Sequence, residues 1–174
     1  MERVTGDATG SGPPGAAILT VSSSRARDGG ADESGDALAA FAESVGIKVL
    51  GRELLADDRE AIEACLRRWA AAPGCDLILT TGGTGLSPDD LTPEASEAVI
   101  ERRAPGIAEA MRAASAAHTG NWMLSRGTAG VAGTTLIVNF PGNPKAIGEA
   151  GAAIAAALPH AVGLLRGGRG GHGR

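Results

Sequence analysis

The segment Thr80-Thr81-Gly82-Gly83-Thr84-Gly85 follows directly on the apolar run Asp76–Thr80. Glycines placed after a buried strand let the backbone turn sharply and aim several N–H groups at one anion, and threonine hydroxyls add further donors. A phosphate suits that geometry, with Thr81, Gly82, Gly83, Thr84 and Gly85 as candidate ligands. The run lacks the GK[ST] of a P-loop and does not fit GxGxxG. Taken alone it also reads as a plain strand-to-helix turn. Just beyond it stand the adjacent acids Asp89 and Asp90. Beside a polyphosphate, carboxylates are best explained as Mg²⁺ ligands, because the metal neutralises phosphate charge and prefers hard oxygen donors. Without the glycine loop, the same acids read as a solvated turn. Asp57 and Asp58, after the second apolar run, fit a helix cap or the edge of the same site.

Asn139-Phe140-Pro141-Gly142-Asn143-Pro144-Lys145 carries a third chemical signal. Asn143 and the N–H groups after it form an anion-friendly helix start. Lys145, one of two lysines in a chain that otherwise uses arginine, is a point charge suited to phosphate. Ser125-Arg126, shortly before, adds a hydroxyl and a guanidinium that can hold an oxyanion in bidentate fashion. No GxSxG occurs, and no Cys–His pairing has supporting spacing, so a covalent nucleophile has no candidate.

The elements that must position these residues alternate along the chain. Ala16–Ser22, Ile47–Leu54, Asp76–Thr80 and Thr134–Phe140 are apolar strand candidates. Asp36–Val45 places Leu38, Phe41, Ala42 and Val45 at helical spacing, with Gly46 at the expected C-terminal stop. A second helix starts at Asp57 or Asp58 and carries Ile62, Leu66 and Trp69 on one stripe. Thr92-Pro93-Glu94 reads as N-cap, first helical position and first-turn acid. Gly106–Ala117 and a last helix from Asn143 to about Leu158 complete the pattern. Alternating strands and helices predict a doubly wound, mostly parallel α/β sheet flanked by helices. Ligands of such sheets sit beyond the carboxyl ends of the strands, near Ser22, Thr80 and Pro141.

The chain has 174 residues, enough for one domain with a sizeable core. Residues 1–15 and 167–174 read as flexible arms around a domain spanning 16–166, given their glycine-rich composition. Two Trp, two Phe, no Tyr and a net charge of −4 argue against a nucleic-acid partner. Cys65 and Cys75 form no CxxC pair and read as reduced, packed thiols. No apolar run approaches the ~20 residues of a membrane span. Residues 1–15 lack a basic-then-apolar signal pattern, and a cytoplasmic location is expected.

Taken together, ILTTGGTGLSPDDLTPEA and LSRGTAGVAGTTLIVNFPGNPKAI resemble the paired signature of the MoaB/Mog molybdopterin-binding family. Thr20–Arg25, Asp32–Gly35 and Leu54–Ile62 fit as well, so the resemblance runs from about Ala16 to Leu165. It implies a trimer that binds molybdopterin, a pterin dithiolene with a terminal phosphate. In the Mog branch it implies transfer of AMP from ATP to that phosphate, followed by molybdate insertion by a partner protein. Asp57 and Asp90 would then be catalytic, with Asp90 the Mg²⁺ ligand. Asp90 is preferred over Asp89 because it stands two residues before the TPEA start. Thr81–Gly85 would hold one phosphate group, and Ser125, Arg126, Pro141, Gly142, Asn143 and Lys145 would line the other side. A non-catalytic molybdopterin carrier and a nucleotide pyrophosphatase on the same fold are the alternatives. The chain departs from the family pattern at His118–Met123, where Thr-Pro and small residues are common, and at SSSR, where SDR is common.

Overall fold

The computed structural model describes residues 12–167. The expected arms therefore fall largely outside the described residues. Six strands form one sheet: β1 (Gly15–Val21), β2 (Lys48–Leu55), β3 (Cys75–Thr81), β4 (Arg102–Arg103), β5 (Ala129–Ala132) and β6 (Thr135–Phe140). Their order is β2-β1-β3-β6-β5-β4. The pairs β1–β2, β1–β3 and β3–β6 are parallel, and β5 and β4 add an antiparallel edge.

Strands β1, β3 and β6 are buried along their whole length, which is why they read as continuous apolar runs. Their side chains alternate between two cores. Ile18, Leu77, Leu79, Leu136, Val138 and Phe140 face one side. There they meet α2 (Glu33–Ser44), α5 (Pro105–Ser115), α6 (Pro144–Ile154) and α7 (Leu158–Leu165). Leu19, Val21, Ile78 and Ile137 face the other, against α3 (Arg59–Ala70) and α4 (Thr92–Glu97). A short α1 (Ser23–Asp28) follows β1.

The chain steps from β1 to β2 on one side and then crosses back to β3 on the other side of β1, so the topological switch lies between β1 and β3. The carboxyl ends of β1, β3 and β6 thus bring Ser22, Gly82 and Pro141 to one edge of the sheet.

Several expected boundaries shift. The last helix does not run unbroken to Leu158: α6 ends at Ile154, and α7 leaves it at 65°. Pro159 in the first turn of α7 suits a new helix start. No single described helix is long and apolar enough to cross a membrane, and α6 and α7 satisfy such a test only as a bent pair. Of the two candidate caps for α3, Asp58 is used, accepting from the Ala61 amide at 2.8 Å. Asn143 caps α6 as expected, accepting from the Lys145 amide at 2.8 Å. Thr92 does not cap α4. Leu91 holds the N-cap place without a side-chain bond, and Thr92 is the first helical residue. Its hydroxyl is turned inward, toward the glycine loop.

Candidate functional site

The glycine loop takes its shape from β1 and β6 on either side of it. Gly82 has φ +91°, and a Cβ there would lie 2.2 Å from the Val21 carbonyl oxygen. Gly83 has φ +63°, and its Cβ position is bordered by Thr92 Oγ1 at 2.5 Å and Asp57 Oδ1 at 3.3 Å. Only glycine adopts this backbone so close to its neighbours without strain. The Thr81 hydroxyl donates to the Pro141 carbonyl at 2.7 Å, tying the end of β3 to the loop after β6. The Ser34 hydroxyl at the start of α2 donates to the Gly142 carbonyl at 2.7 Å. Thr20 donates to Asp32 Oδ2 at 2.8 Å, fixing the residue that caps α2.

The two expected acids flank this loop, each with one oxygen committed. Asp57 Oδ2 accepts from the Ser23 amide at 2.8 Å and the Ser23 hydroxyl at 2.7 Å. Asp90 Oδ2 accepts from the Ser87 amide at 2.9 Å and stands 2.8 Å from the Cβ position of Gly85. The Oδ1 atoms of both carry no hydrogen bond among the described residues. Asp89 is exposed one residue further out. Among the described residues no three His, Cys, Asp or Glu side chains gather as a metal cage. Two carboxylates, each with one oxygen unspent beside a glycine loop, are the kind of donor that holds Mg²⁺ together with substrate phosphates, through one or two acids and water.

Arg126 faces the protein. Its Nε donates to the Gly85 carbonyl at 2.7 Å and its Nη2 to the Asp90 carbonyl at 2.6 Å. Its Nη1 pairs with Glu94, whose carboxyl this guanidinium holds below its ordinary range. Its own amide donates to Thr84 O at 2.8 Å. Arg126 therefore braces the glycine loop and the Asp90 turn with the donors that sequence reasoning assigned to an oxyanion. Lys145 is exposed at the start of α6, and Asn143 spends its side-chain oxygen on the cap.

A cleft of about 140 Å³ opens beside this loop between α5, α6 and the segment before β5. It contains Ser125 and Pro141 from the expected set, together with Arg112, Asn121, Trp122 and Asn139. Met111, Ala146 and Ala150 supply apolar wall. Arg112 also donates to the Gly127 carbonyl at 2.9 Å. Asn139 is buried, donating to Thr80 Oγ1 at 2.9 Å and Ser96 Oγ at 2.8 Å. Sequence reasoning missed Arg112, Ser115, Thr119, Asn121 and Trp122 as cleft residues. The only signal was the departure at His118–Met123. Pro141 joins the two regions, accepting from Thr81 and lining the cleft.

These features define a switch-point α/β domain with a glycine loop at the carboxyl end of β3, two flanking acids and an adjoining mixed apolar and polar cleft. The chain belongs to the family described as "probable molybdopterin binding domain", whose profile matches residues 17–160. It is 43% identical over 115 residues to a molybdopterin adenylyltransferase of Helicobacter pylori, covering 66% of this chain and 65% of that protein's length. It is 38% identical over 135 residues to molybdenum cofactor biosynthesis protein B of Escherichia coli K12, covering 77% and 78%. The fold superposes with a TM-score of 0.82 on the solved molybdopterin biosynthesis enzyme MoaB of Thermus thermophilus, at 43% identity over 88% of this chain and 96% of that one.

Proposed function

We propose that this protein acts in molybdenum cofactor biosynthesis, binding molybdopterin and transferring AMP from ATP to its terminal phosphate. The observation that carries the reading is the glycine loop at Gly82–Gly85, set between two carboxylates that each keep one oxygen unspent. The activity named for the Helicobacter pylori relative points the same way. In the transfer, a terminal phosphate oxygen of molybdopterin bonds to the α-phosphorus of ATP. The bond from that phosphorus to the bridging oxygen breaks, and pyrophosphate leaves with the electron pair. Such a reaction needs positioning and charge stabilisation more than a protein nucleophile.

The residues divide the work. Thr81, Gly82, Gly83, Thr84 and Gly85 present backbone and hydroxyl donors to one phosphate group. Mg²⁺ bound with ATP would neutralise triphosphate charge, and Asp90 Oδ1, with Asp57 Oδ1 facing the same loop, are the oxygens suited to hold it. Ser125, Pro141, Gly142, Asn143 and Lys145 border the second substrate, and the cleft between Met111 and Trp122 suits a flat pterin ring. Arg126 holds the loop and the Asp90 turn in register. A homotrimer and a molybdate-inserting partner complete the reading by family likeness. Consumption of ATP fits the cytoplasm.

The experiment compares wild type with Asp57→Asn and Asp90→Asn for Mg²⁺-dependent formation of adenylylated molybdopterin. Molybdopterin binding is measured in parallel. The expected outcome is product from wild type, its loss in both variants, and retained binding. Tight binding with no product from wild type would mean a carrier instead.

A further inference from the structure

The Thr92 side chain is completely buried, and its hydroxyl has no hydrogen-bond partner among the described residues. A buried hydroxyl without a partner is destabilising, and native folds rarely keep one without a use. A valine has the same shape without that penalty, so the protein retains threonine at a cost to the fold. Two further observations say where the hydroxyl points. Its oxygen lies 2.5 Å from the Cβ position of Gly83, in a methyl-sized space that only glycine leaves open. Asp57 Oδ1 borders the same space at 3.3 Å. The Thr92 amide already donates to the Gly83 carbonyl at 3.1 Å, so the residue is locked against the loop.

From this geometry we infer that Thr92 is a positioning residue whose hydroxyl is reserved for Asp57 Oδ1 in the ligand-bound site. Ser23 holds Oδ2 from the amide and the hydroxyl, leaving Oδ1 without a hydrogen bond among the described residues. An anion settling on the glycine loop repels a carboxylate pointed at it. A small pivot of the carboxylate about the Ser23-held Oδ2 brings Oδ1 onto the unspent Thr92 donor, which offsets that repulsion and fixes the carboxylate plane while Oδ1 keeps a lone pair toward the loop. The lone pairs of Oδ1 outnumber one hydrogen bond, so the oxygen stays able to accept again. The identity of the anion as the phosphates of ATP rests on the adenylyl-transfer reading, whereas the orphaned hydroxyl does not.

The test uses the full chain as wild type, Thr92→Val and Thr92→Ser. Thermal melting is measured without ligand, and the affinity for ATP with Mg²⁺ is measured by calorimetry. Thr92→Val is expected to melt at or above wild type, by up to about 2–4 °C, because it removes an unsatisfied group. It is expected to bind MgATP about tenfold more weakly, as for loss of a hydrogen bond to a charged group. Thr92→Ser, which restores the donor, should bind within about threefold of wild type. If Thr92→Val melts below wild type without ligand, the hydroxyl already has a partner and the inference is overturned. It is overturned equally if Thr92→Val melts normally and binds MgATP as wild type does. Wild type that binds no MgATP would sink the adenylyl-transfer reading instead, and the same three proteins titrated with inorganic pyrophosphate and Mg²⁺ then decide the role of Thr92: weaker binding by Thr92→Val alone supports it, and equal or absent binding by all three overturns it.

Discussion

Replacing Gly82 by alanine puts a methyl carbon 2.2 Å from the Val21 carbonyl oxygen, on a residue whose φ is +91°. Two terms add. Holding a residue with a Cβ in the left-handed region costs roughly 1–2 kcal/mol. Forcing the end of β1 away from a backbone atom costs roughly 1–3 kcal/mol more, because neither partner is a flexible side chain. The stiffer unfolded chain returns about 0.4–1 kcal/mol. The expected net loss is about 1–4.6 kcal/mol, a large share of the ~5–15 kcal/mol of a typical domain. Gly46→Ala is the internal control. Gly46 has φ +79° at the end of α2, with nothing within 4 Å of its Cβ position, so it carries the backbone term without the clash. Urea unfolding of both variants, with unchanged m-values, should place Gly82→Ala about 1–3 kcal/mol below Gly46→Ala. Equal midpoints for the two would refute the close approach of the glycine loop to β1.

Other parts of the structure make independent predictions. Arg126→Met keeps the aliphatic stem but leaves the Gly85 and Asp90 carbonyls without their charged donor. It should lower stability by about 2–3 kcal/mol in urea, the Glu94 pair adding little because both side chains are about a third exposed. Arg126 holds the Glu94 carboxyl below its ordinary value of 4.5, so that contribution is fully present above this pH and is lost as pH falls through the lowered value. Glu94→Gln should therefore lower stability slightly above about pH 4.5, leave it unchanged well below that value, and so flatten the acid limb of the stability–pH curve. Burial pushes the Cys65 and Cys75 thiols each up to about 11. Both should resist iodoacetamide at pH 8 in the native protein and react once urea unfolds it.

The strands that carry the site were legible because each is a buried apolar run ending in turn chemistry. Leu77-Ile78-Leu79 running into Gly82-Gly83 announces both β3 and the loop. Strands β4 and β5, only two and four residues long, offer too little pattern to be read. The six-residue α1 buries none of its side chains, so periodicity had nothing to report. The placement of Asp57 and Asp90 beside the glycine loop was legible, because each lies just before a helix that follows a strand end. Arg126 was misread in direction: its type suits an oxyanion, but its donors are satisfied by carbonyls contributed by residues about forty positions earlier, which only the fold brings near. The cleft was illegible for the same reason, since Arg112, Trp122 and Asn139 meet only where α5 packs on β6 and on the segment before β5. Thr92 looked like a cap because the residue type and the following proline fit one. Its inward turn depends on the empty space that Gly83 leaves.

The central claim is tested most directly by following isotope from ATP labelled at the α-phosphorus, and in parallel at the γ-phosphorus, in the presence of molybdopterin and Mg²⁺. Adenylyl transfer predicts label from the α position in the pterin product and label from the γ position in pyrophosphate. Label from the γ position in the pterin, or none from either with molybdopterin still bound, would contradict the account.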